Sequence, residues 1–275
     1  MKEHQGPASP SDQASAKPDK TVSTFWDHLD ELRGCIIRMA IATVVLGMAA
    51  FCFKEELFAI VLAPRSSQFV SYRLLGVEPF SISLMNTGLT EQFMIHMKTA
   101  LYAGLLLASP YVLYELFRFV SPALYANERR YATRIVGASY VMFVLGTLLN
   151  YFLIFPLTVR FLGTYQVSPD VQNMLTLQSY MDTLIGMSFV MGVVFELPVV
   201  CWLMAMMHIL KASFMRKTRR HAVVVIIIVA AIITPTTDAL TLCIVALPIW
   251  LLYEASIGIV AITNREQKLA GGSGR

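Results

Sequence analysis

Six long apolar segments constrain this chain more than any other feature of its sequence. A helix needs roughly 20 mostly apolar residues to cross the hydrocarbon core of a bilayer. The apolar segments cover residues 36–53, 93–117, 135–155, 180–207, 222–233 and 239–262. Only 15% of the residues are charged, whereas soluble domains carry roughly a quarter. The sequence therefore predicts an all-α polytopic membrane protein with six transmembrane helices.

The fifth segment is shorter than the others. Its residues, 222–233, give roughly 18 Å of helix, well below the roughly 30 Å of the hydrocarbon core. It is either a buried or re-entrant piece, or one arm of a tight hairpin with the sixth segment through 234–238. We favour the hairpin, which makes the last two helices short and thins the bilayer beside them. Pro110 predicts a kink in the second span. Pro198 frees a backbone carbonyl around position 194 and so adds local polarity to the fourth span.

The distribution of basic residues predicts the orientation in the membrane. Seventeen of the 22 Lys and Arg residues fall on the side that carries both chain ends. The positive-inside rule then places both termini in the cytoplasm, in agreement with an even number of spans. We expect a disordered cytoplasmic tail over 1–23, a membrane domain over 24–262 and a second cytoplasmic tail over 263–275, which ends in a linker-like run. A net charge of +4 gives no indication of nucleic-acid binding.

The sequence lacks the patterns of the common enzymes and metal sites. Its four cysteines, Cys35, Cys52, Cys201 and Cys243, lie in apolar segments without metal-ligand spacing, which is typical of small buried hydrophobic residues. There is no phosphate-binding loop, no H-E-x-x-H and no G-x-S-x-G. We therefore predict a protein that is not an enzyme and that has neither a metal nor a cofactor.

Glu196 is the most unusual charged residue because it lies in the middle of the fourth span. An ionised carboxylate at mid-bilayer costs at least a few kcal/mol, so it must face protein, water or a partner, or remain protonated. Two interpretations stay open. Glu196 is either a neutral residue hydrogen-bonded to a neighbouring helix, or a polar spot on the path of a substrate or partner.

A helix is predicted to begin at Phe25, after Thr24 as its cap, and to lie along the cytoplasmic surface before it enters the membrane. Its apolar stripe consists of Phe25, Leu29, Leu32 and Ile36. The polar face carries Asp27, Asp30 and Glu31, although surface helices normally present basic residues to lipid headgroups. This face is either simply solvated or a docking site for a basic ligand.

The loop at 121–130 contains a second acid among arginines. Ser121 and Pro122 form a typical helix start, and Glu128 precedes Arg129 and Arg130. Glu128 could merely pair with these arginines, a contact that contributes little at a surface. Together with Glu31, however, it would place two carboxylates on one cytoplasmic face. Two carboxylates are the natural partners of two adjacent guanidinium groups.

These segments resemble the TatC family, the multispanning subunit of the twin-arginine protein translocase. The resemblance covers residues 24–262 in order and spacing. It is carried by His28-Leu-Asp-Glu-Leu-Arg33, Ser121-Pro-Ala-Leu-Tyr-Ala-Asn-Glu-Arg-Arg130, Phe195-Glu-Leu-Pro198, Thr234-Pro-Thr-Thr-Asp238 and Leu247-Pro…Leu-Tyr-Glu254. It implies a cup-shaped bundle of six helices in the cytoplasmic (inner) membrane, and a receptor for signal peptides with paired arginines.

The resemblance also implies roles for individual residues. Those for signal-peptide binding are Glu31, Arg33, Phe119, Glu128, Arg129 and Arg130. Glu196 corresponds to the intramembrane glutamate of the concave face, where a partner would make contact. Supporting positions are Pro64, Lys98, Pro110, Pro198, Pro235 and Asp238. The implied partners are folded cargo with its signal peptide, the single-span TatA and TatB proteins, membrane lipid and further copies of the chain. The proton-motive force would drive transport.

Three positions depart from the family pattern. Cys35 stands where a basic residue is common, and Arg38 is the basic residue one turn further on. The hairpin before Asp238 has one extra residue, and the usual proline near Thr90 and Glu91 is absent. The residues alone leave two other functions open. One is a proton-coupled solute transporter that uses Glu196, and the other is a scaffold for partner helices.

Overall fold

A computed structural model describes residues 25–66, 68–74, 76, 83–120, 132–164, 175–234 and 238–272. The helices of the first half are α1 (Phe25–Phe51), α2 (Lys54–Leu62), a 3-10 turn (Ala63–Arg65), α3 (Val70–Leu74), α4 (Glu91–Val120), α5 (Ala132–Leu149), a π-helical stretch (Asn150–Ile154) and α6 (Phe155–Thr164). Those of the second half are α7 (Leu177–Val194), α8 (Leu197–Met206), α9 (Ala212–Lys217), α10 (Arg219–Ile233) and α11 (Ala239–Gly272). The strands are β1 (Leu84–Met85) and β2 (Leu175–Thr176).

Five stretches of helix are long and apolar enough to cross a membrane within the described residues. They are Leu29–Phe51, Glu91–Phe119, Ile135–Thr164, Leu177–Met206 and Ala239–Arg265. The fifth predicted segment forms α10, whose 15 residues remain too short to count among them. α10 packs against α11, as the hairpin interpretation predicts, and Arg219 and Glu254 join the two helices through an ion pair of 2.7 Å.

The prediction of a short last helix is wrong. α11 has 34 residues and continues through 263–272, where a tail was expected. Its amide side chains find acceptors where α8 ends. Gln267 Nε2 donates to the carbonyl oxygens of Ala205 and Met206 at 3.3 and 3.2 Å, and Asn264 Nδ2 reaches that of Leu210 at 3.5 Å. The last carbonyls of a helix lack partners within it, so these contacts stabilise both α8 and the extension of α11.

The start of the chain also differs from the expectation. A separate surface helix that turns into the membrane was predicted, but α1 runs without interruption from Phe25 to Phe51. The tail at 1–23 lies outside the described residues. Of the four cysteines only Cys35 is buried, whereas Cys52 and Cys243 lie on the outer surface. The apolar surroundings that suggested burial in protein are here the lipid-facing sides of the helices.

Pro110 and Pro198 both lie within membrane spans. α4 continues through Pro110, and the Ser109 hydroxyl donates to the Leu106 carbonyl at 2.7 Å, which occupies the acceptor that proline cannot serve. Pro198 is near the start of α8, and the regular helix is interrupted at Phe195 and Glu196 between α7 and α8. The fourth span therefore consists of two helices.

Two pairs of helices are held together at glycines. A Cβ atom built on Gly104 of α4 would lie 2.4 Å from the nitrogen and 2.5 Å from the Cα of Gly47 in α1. A Cβ on Gly146 of α5 would lie 2.7 Å from the Met191 carbonyl oxygen of α7. Small residues allow helix backbones to approach closely, which replaces the hydrophobic driving force that lipid does not supply. The bundle is therefore built from the pairs α1–α4 and α5–α7.

The end of the bundle that carries α2, β1 and β2 is tied together by backbone pairing and one carboxylate. We call it the cap end, and the opposite end, where α1 begins and α4 ends, the basic end. β1 pairs with β2 in parallel, with Leu84 opposite Leu175. Glu91 is buried and accepts from the Thr87 and Gly88 amides at 2.9 and 2.7 Å and from the Gln178 amide at 3.1 Å. It therefore joins the start of α4 to the start of α7.

The largest core lies among α5, α7, α10, α11 and the π-helical stretch. Its members include Ile154, Phe155, Met191, Ala230 and Val245, each essentially without exposed surface. The groups that form the candidate site lie away from this core, on α1 and α4 at the basic end.

Candidate functional site

A small acidic cavity lies between the first turns of α1 and the last turns of α4. Its volume is about 180 Å³. We call it the acidic pocket, and its lining is Asp30, Glu31, Gly34, Cys35, Arg38, Glu115, Arg118 and Phe119. Three carboxylates and two guanidinium groups thus meet at the basic end of the bundle. The pocket is placed there because α1 and α4 run antiparallel in close contact.

Glu115 is the most buried carboxylate of this pocket, and the sequence pattern did not single it out. Its side chain is only 3% exposed. Arg38 Nη2 donates to Oε2 at 2.8 Å, and the Tyr111 hydroxyl donates to Oε1 at 3.1 Å. Arg118 Nη1 lies 3.8 Å from Oε1. The Cys35 thiol points to the Glu115 carbonyl oxygen at 3.4 Å, so Cys35 fills space at the helix contact where a longer basic side chain would not fit as closely.

A sequence signal for Glu115 does exist. It is an acid within the predicted second span, and Arg38 is a basic residue within the predicted first span, each a short distance from the basic end. Opposite charges at matching depth in two antiparallel spans favour a pair, because an isolated charge inside the bilayer is costly.

The structure brings together part of the predicted peptide-binding set. Glu31 and Phe119 both line the acidic pocket. Arg33 is exposed and is not among the lining residues. Glu128, Arg129 and Arg130 lie outside the described residues, so their predicted roles stay predictions. Asp30 and Glu31 are exposed on the acidic face of α1 and border a cavity with α4.

An apolar groove lies further toward the cap end, between α2, α4, α5 and α7. Its volume is about 580 Å³, and its lining includes Leu57, Leu106, Leu148, Leu184 and Ser188. A neighbouring cavity of about 610 Å³ between α1, α4 and α7 shares Tyr102 and Ile185 with it. Such apolar concavities suit an apolar ligand or helix.

Lys98, predicted as a supporting residue, borders the second cavity together with Asp182 of α7. Lys98 Nζ donates to Asp182 Oδ1 at 3.0 Å, and the two side chains are about half exposed. Both residues lie within membrane spans, where pairing lowers the cost of each charge. The ion pair of Lys98 and Asp182 therefore connects α4 to α7 at the lining of this cavity.

Glu196 contacts the neighbouring helix α5. The Ser139 hydroxyl lies 2.5 Å from Glu196 Oε2, and Oε1 has no hydrogen-bond partner within the described part of the chain. The first interpretation, a residue hydrogen-bonded to a neighbouring helix, matches this geometry. Glu196 is not among the residues that line the apolar groove. The Oε1 oxygen can still accept a hydrogen bond, which is compatible with the other interpretation, contact with a partner.

The remaining supporting residues have structural roles. Pro64 forms the 3-10 turn, and the buried Tyr72 hydroxyl lies 3.0 Å from its carbonyl oxygen and 2.9 Å from that of Pro156. Burial raises the pKa of Tyr72 above its usual value, so Tyr72 remains a donor. Asp238 precedes α11 and accepts from the Thr241 amide at 2.7 Å, as a helix cap does. Pro235 lies outside the described residues.

The acidic pocket has the chemistry to bind guanidinium groups. Carboxylates accept two parallel hydrogen bonds from arginine, a geometry that lysine cannot reproduce. The pocket already holds two arginine side chains of its own around Glu115. Within the described residues no cluster of three or more His, Cys, Asp or Glu side chains has the arrangement of a metal site.

Comparison with known proteins identifies the family. The family model of the Sec-independent protein translocase protein (TatC) matches residues 27–248, well over half of the chain. The chain belongs to the TatC family. A TatC protein of Desulforapulum autotrophicum is 36% identical over 239 residues, which cover 87% of this chain and 84% of the relative. One of Koribacter versatilis is 32% identical and covers 89% of this chain and 88% of its own length.

A solved structure agrees with the fold. The crystal structure of the twin-arginine translocase receptor TatC superposes with a TM-score of 0.71 at 30% identity, over 86% of this chain and 99% of the other. The chain is therefore a multi-pass membrane protein and a component of the Sec-independent protein translocase. TatC proteins are non-enzymatic components of this transport system.

Proposed function

We propose that this chain is the receptor for twin-arginine signal peptides and the core subunit of a translocase that exports folded proteins across the cytoplasmic membrane. The observation that supports this most directly is the acidic pocket between α1 and α4, in which Asp30, Glu31 and Glu115 meet beside Phe119. Adjacent arginines of a peptide would bring two guanidinium groups to these carboxylates. Glu31 binds one of them, and Glu128 supplies a second carboxylate from the neighbouring loop.

The apolar part of the signal peptide has a place to bind beyond the pocket. The two cavities that share Tyr102 and Ile185 lie deeper along α4, and their walls are mostly apolar apart from the Lys98–Asp182 ion pair. A peptide whose arginines bind at the basic end could extend its apolar segment into these cavities. Charge would thus select the peptide, and apolar burial would hold it.

Peptide binding tests the proposal. The probe is a fluorescent synthetic peptide with two adjacent arginines followed by an apolar stretch, added to purified protein in detergent. Glu31→Gln and Glu128→Gln should each weaken binding roughly tenfold, the effect of one charge-assisted hydrogen-bonded contact. The matched control is Glu55→Gln, since Glu55 is an exposed acid at the cap end. Unchanged binding in the Glu31→Gln/Glu128→Gln double variant would show that the site is elsewhere.

Photocrosslinking locates the peptide directly. A photoreactive residue placed next to Glu31, Glu128 or Glu196 should capture the peptide at the first two positions when its arginines are present. Capture that does not depend on the arginines would contradict recognition by the acidic pocket.

The orientation proposed here has both termini in the cytoplasm, with the basic end on the same side. The excess of Lys and Arg on that side supports this orientation. An even number of crossings requires α10, paired with α11, to supply the sixth one. A green fluorescent protein fused after Arg275 should fluoresce, whereas alkaline phosphatase at the same position should be inactive. The reverse result would overturn the orientation.

Single-span TatA and TatB proteins are the proposed partners within the membrane, and Glu196 is the proposed point of contact. A partner helix with a donor would satisfy the Oε1 oxygen that lacks one among the described residues. Glu196→Ala should reduce cross-linking to these proteins and leave peptide binding intact. Loss of both would indicate a general defect in folding instead.

The proton-motive force is the proposed source of energy. Export of a folded cargo into inverted membrane vesicles that contain the chain and its partners should stop when an uncoupler collapses the proton gradient. Transport that continues under these conditions, and that depends on added nucleotide, would refute this part of the proposal.

A further inference from the structure

We propose that Glu115 is a further guanidinium-binding carboxylate of the acidic pocket, and that Arg38 occupies it as an internal substitute until a peptide arginine replaces it. The inference rests on the proposed function, since it assigns a part of the same site. Glu115 was not in the predicted peptide-binding set. In the absence of a peptide, Arg38 would occupy Glu115 and so block this part of the pocket.

The geometry around Glu115 is that of a bound arginine. Arg38 Nη2 lies 2.8 Å from Oε2, while the Tyr111 hydroxyl holds Oε1 at 3.1 Å. The carboxylate is 3% exposed, and it lines the same cavity as Asp30 and Glu31. An arginine that enters from the cytoplasmic side would therefore find Glu115 oriented by Tyr111, with Arg38 on Oε2 and Arg118 3.8 Å from Oε1.

The two partners differ in how easily they can move. Glu115 is fixed by burial and by Tyr111, whereas the Arg38 side chain is 44% exposed. Arg38 belongs to α1 and reaches across to α4, so its head group can swing into solvent without disturbing the backbone of either helix. Long basic side chains readily move their charged ends toward water.

Exchange of one guanidinium for another avoids the main cost of opening a buried ion pair. A buried carboxylate that loses its partner is strongly destabilised, whereas a carboxylate that changes partners remains compensated. Because Oε1 is already engaged by Tyr111, the incoming group donates mainly to Oε2, and a guanidinium can do so while its other N–H groups stay available to Asp30 and Glu31 in the same pocket. Lysine, with a single compact charge, fits this requirement less well. The arrangement therefore favours arginine over lysine at this position.

Two substitutions test the inference because they should act in opposite directions. Arg38→Gln frees Glu115 and should tighten binding of the fluorescent twin-arginine peptide by roughly three- to tenfold, the gain from one charge-assisted contact in a partly exposed site. Glu115→Gln removes the carboxylate and leaves Arg38 to repel the peptide, so it should weaken binding by a similar factor. A pair that merely staples α1 to α4 would give losses, or no change, in both variants.

Loss of one positive charge could by itself attract a cationic peptide, so Arg38→Gln is also measured in the Glu115→Gln background. If Arg38 acts through Glu115, its removal should now change the affinity little. An equal gain in both backgrounds would refute the inference in favour of a general charge effect. A peptide with two lysines serves as the second probe and should gain less than the arginine peptide from Arg38→Gln.

Glu31→Gln separates failure of the inference from failure of the proposed function. If it abolishes the specific binding but Arg38→Gln does not tighten it, the peptide binds in the acidic pocket and Glu115 is only structural. If the Glu31→Gln/Glu128→Gln double variant also binds the peptide unchanged, the proposed binding site itself is wrong. Thermal unfolding of each variant is recorded in parallel. Arg38→Lys keeps the charge but pairs less well with Glu115, so it should tighten peptide binding by less than Arg38→Gln does.

Discussion

The contact between Gly104 and Gly47 should govern the stability of the α1–α4 pair. A Cβ atom at position 104 would lie 2.4 to 2.6 Å from three backbone atoms, the nitrogen and Cα of Gly47 and the carbonyl oxygen of Thr43. Because all three belong to the main chain, no side-chain rotation can relieve the overlap. Gly104→Ala must therefore push α1 away from α4 by about 1 Å to restore ordinary contact distances.

The size of the effect follows from this displacement. Overpacking at a closely fitted contact costs about 1–3 kcal/mol, and the rigid backbone neighbours place this case at the upper end. The higher helix propensity of alanine returns at most about 1 kcal/mol. A net loss of about 2 kcal/mol corresponds to a lower melting temperature by roughly 4–8 °C.

The assay is thermal unfolding of purified protein in one detergent, followed by tryptophan fluorescence. The matched control is Gly137→Ala in α5, because a Cβ atom built on Gly137 would meet no neighbouring helix or side chain of the described residues within 4 Å. This variant should be unchanged or slightly more stable. Equal melting temperatures for the Gly104→Ala and Gly137→Ala variants would refute the argument that close backbone contact holds α1 to α4.

Four further substitutions test other parts of the fold. Gly146→Ala should also destabilise, but less than Gly104→Ala, because two of its three close neighbours are side-chain atoms of Phe195; the same melting experiment ranks them. Glu91→Ala should cost about 2–4 kcal/mol through the loss of several buried hydrogen bonds, and Glu91→Gln less. Asp238→Ala should cost about 1 kcal/mol as a lost helix cap, while Asp238→Asn should be nearly neutral. Tyr72→Phe should reduce the loss of stability above about pH 10. Burial raises the pKa of Tyr72 in the folded chain above the unfolded value of 10.0, so the contribution of Tyr72 to stability is complete below pH 10 and is lost as the pH rises. The variant should therefore show a flatter alkaline unfolding curve.

The lengths of the apolar segments predicted five spans, because hydrocarbon thickness sets a minimum that the sequence must satisfy. The packing of α10 against α11 was also predictable, because a segment too short to cross alone favours a hairpin with the next helix. The extension of α11 was not, because it depends on acceptors at the end of α8 that only the folded arrangement places beside Gln267.

The candidate site was only partly predictable for the same reason. Glu31 was singled out by the acidic face of the first helix and Phe119 by a family resemblance, and the two line one cavity. Glu115 was not singled out, because its partner Arg38 lies 77 residues away in the sequence and only the fold brings the two together. Likewise, nothing in the residues around Gly104 indicates that Gly47 lies against it, since the contact depends on how two distant helices cross.

The docking of Gln267 on the last carbonyls of α8 has a practical consequence for anyone who modifies the chain. Residues after Ile262 resemble a dispensable tail by composition, and they would be a natural place to shorten the protein or attach a reporter. A truncation at that point would remove the Gln267 amide from the carbonyl oxygens of Ala205 and Met206 and weaken the contact between α11 and the end of α8. Affinity tags and fluorescent reporters should therefore follow Gly272, where they leave the contacts of Gln267 with α8 intact.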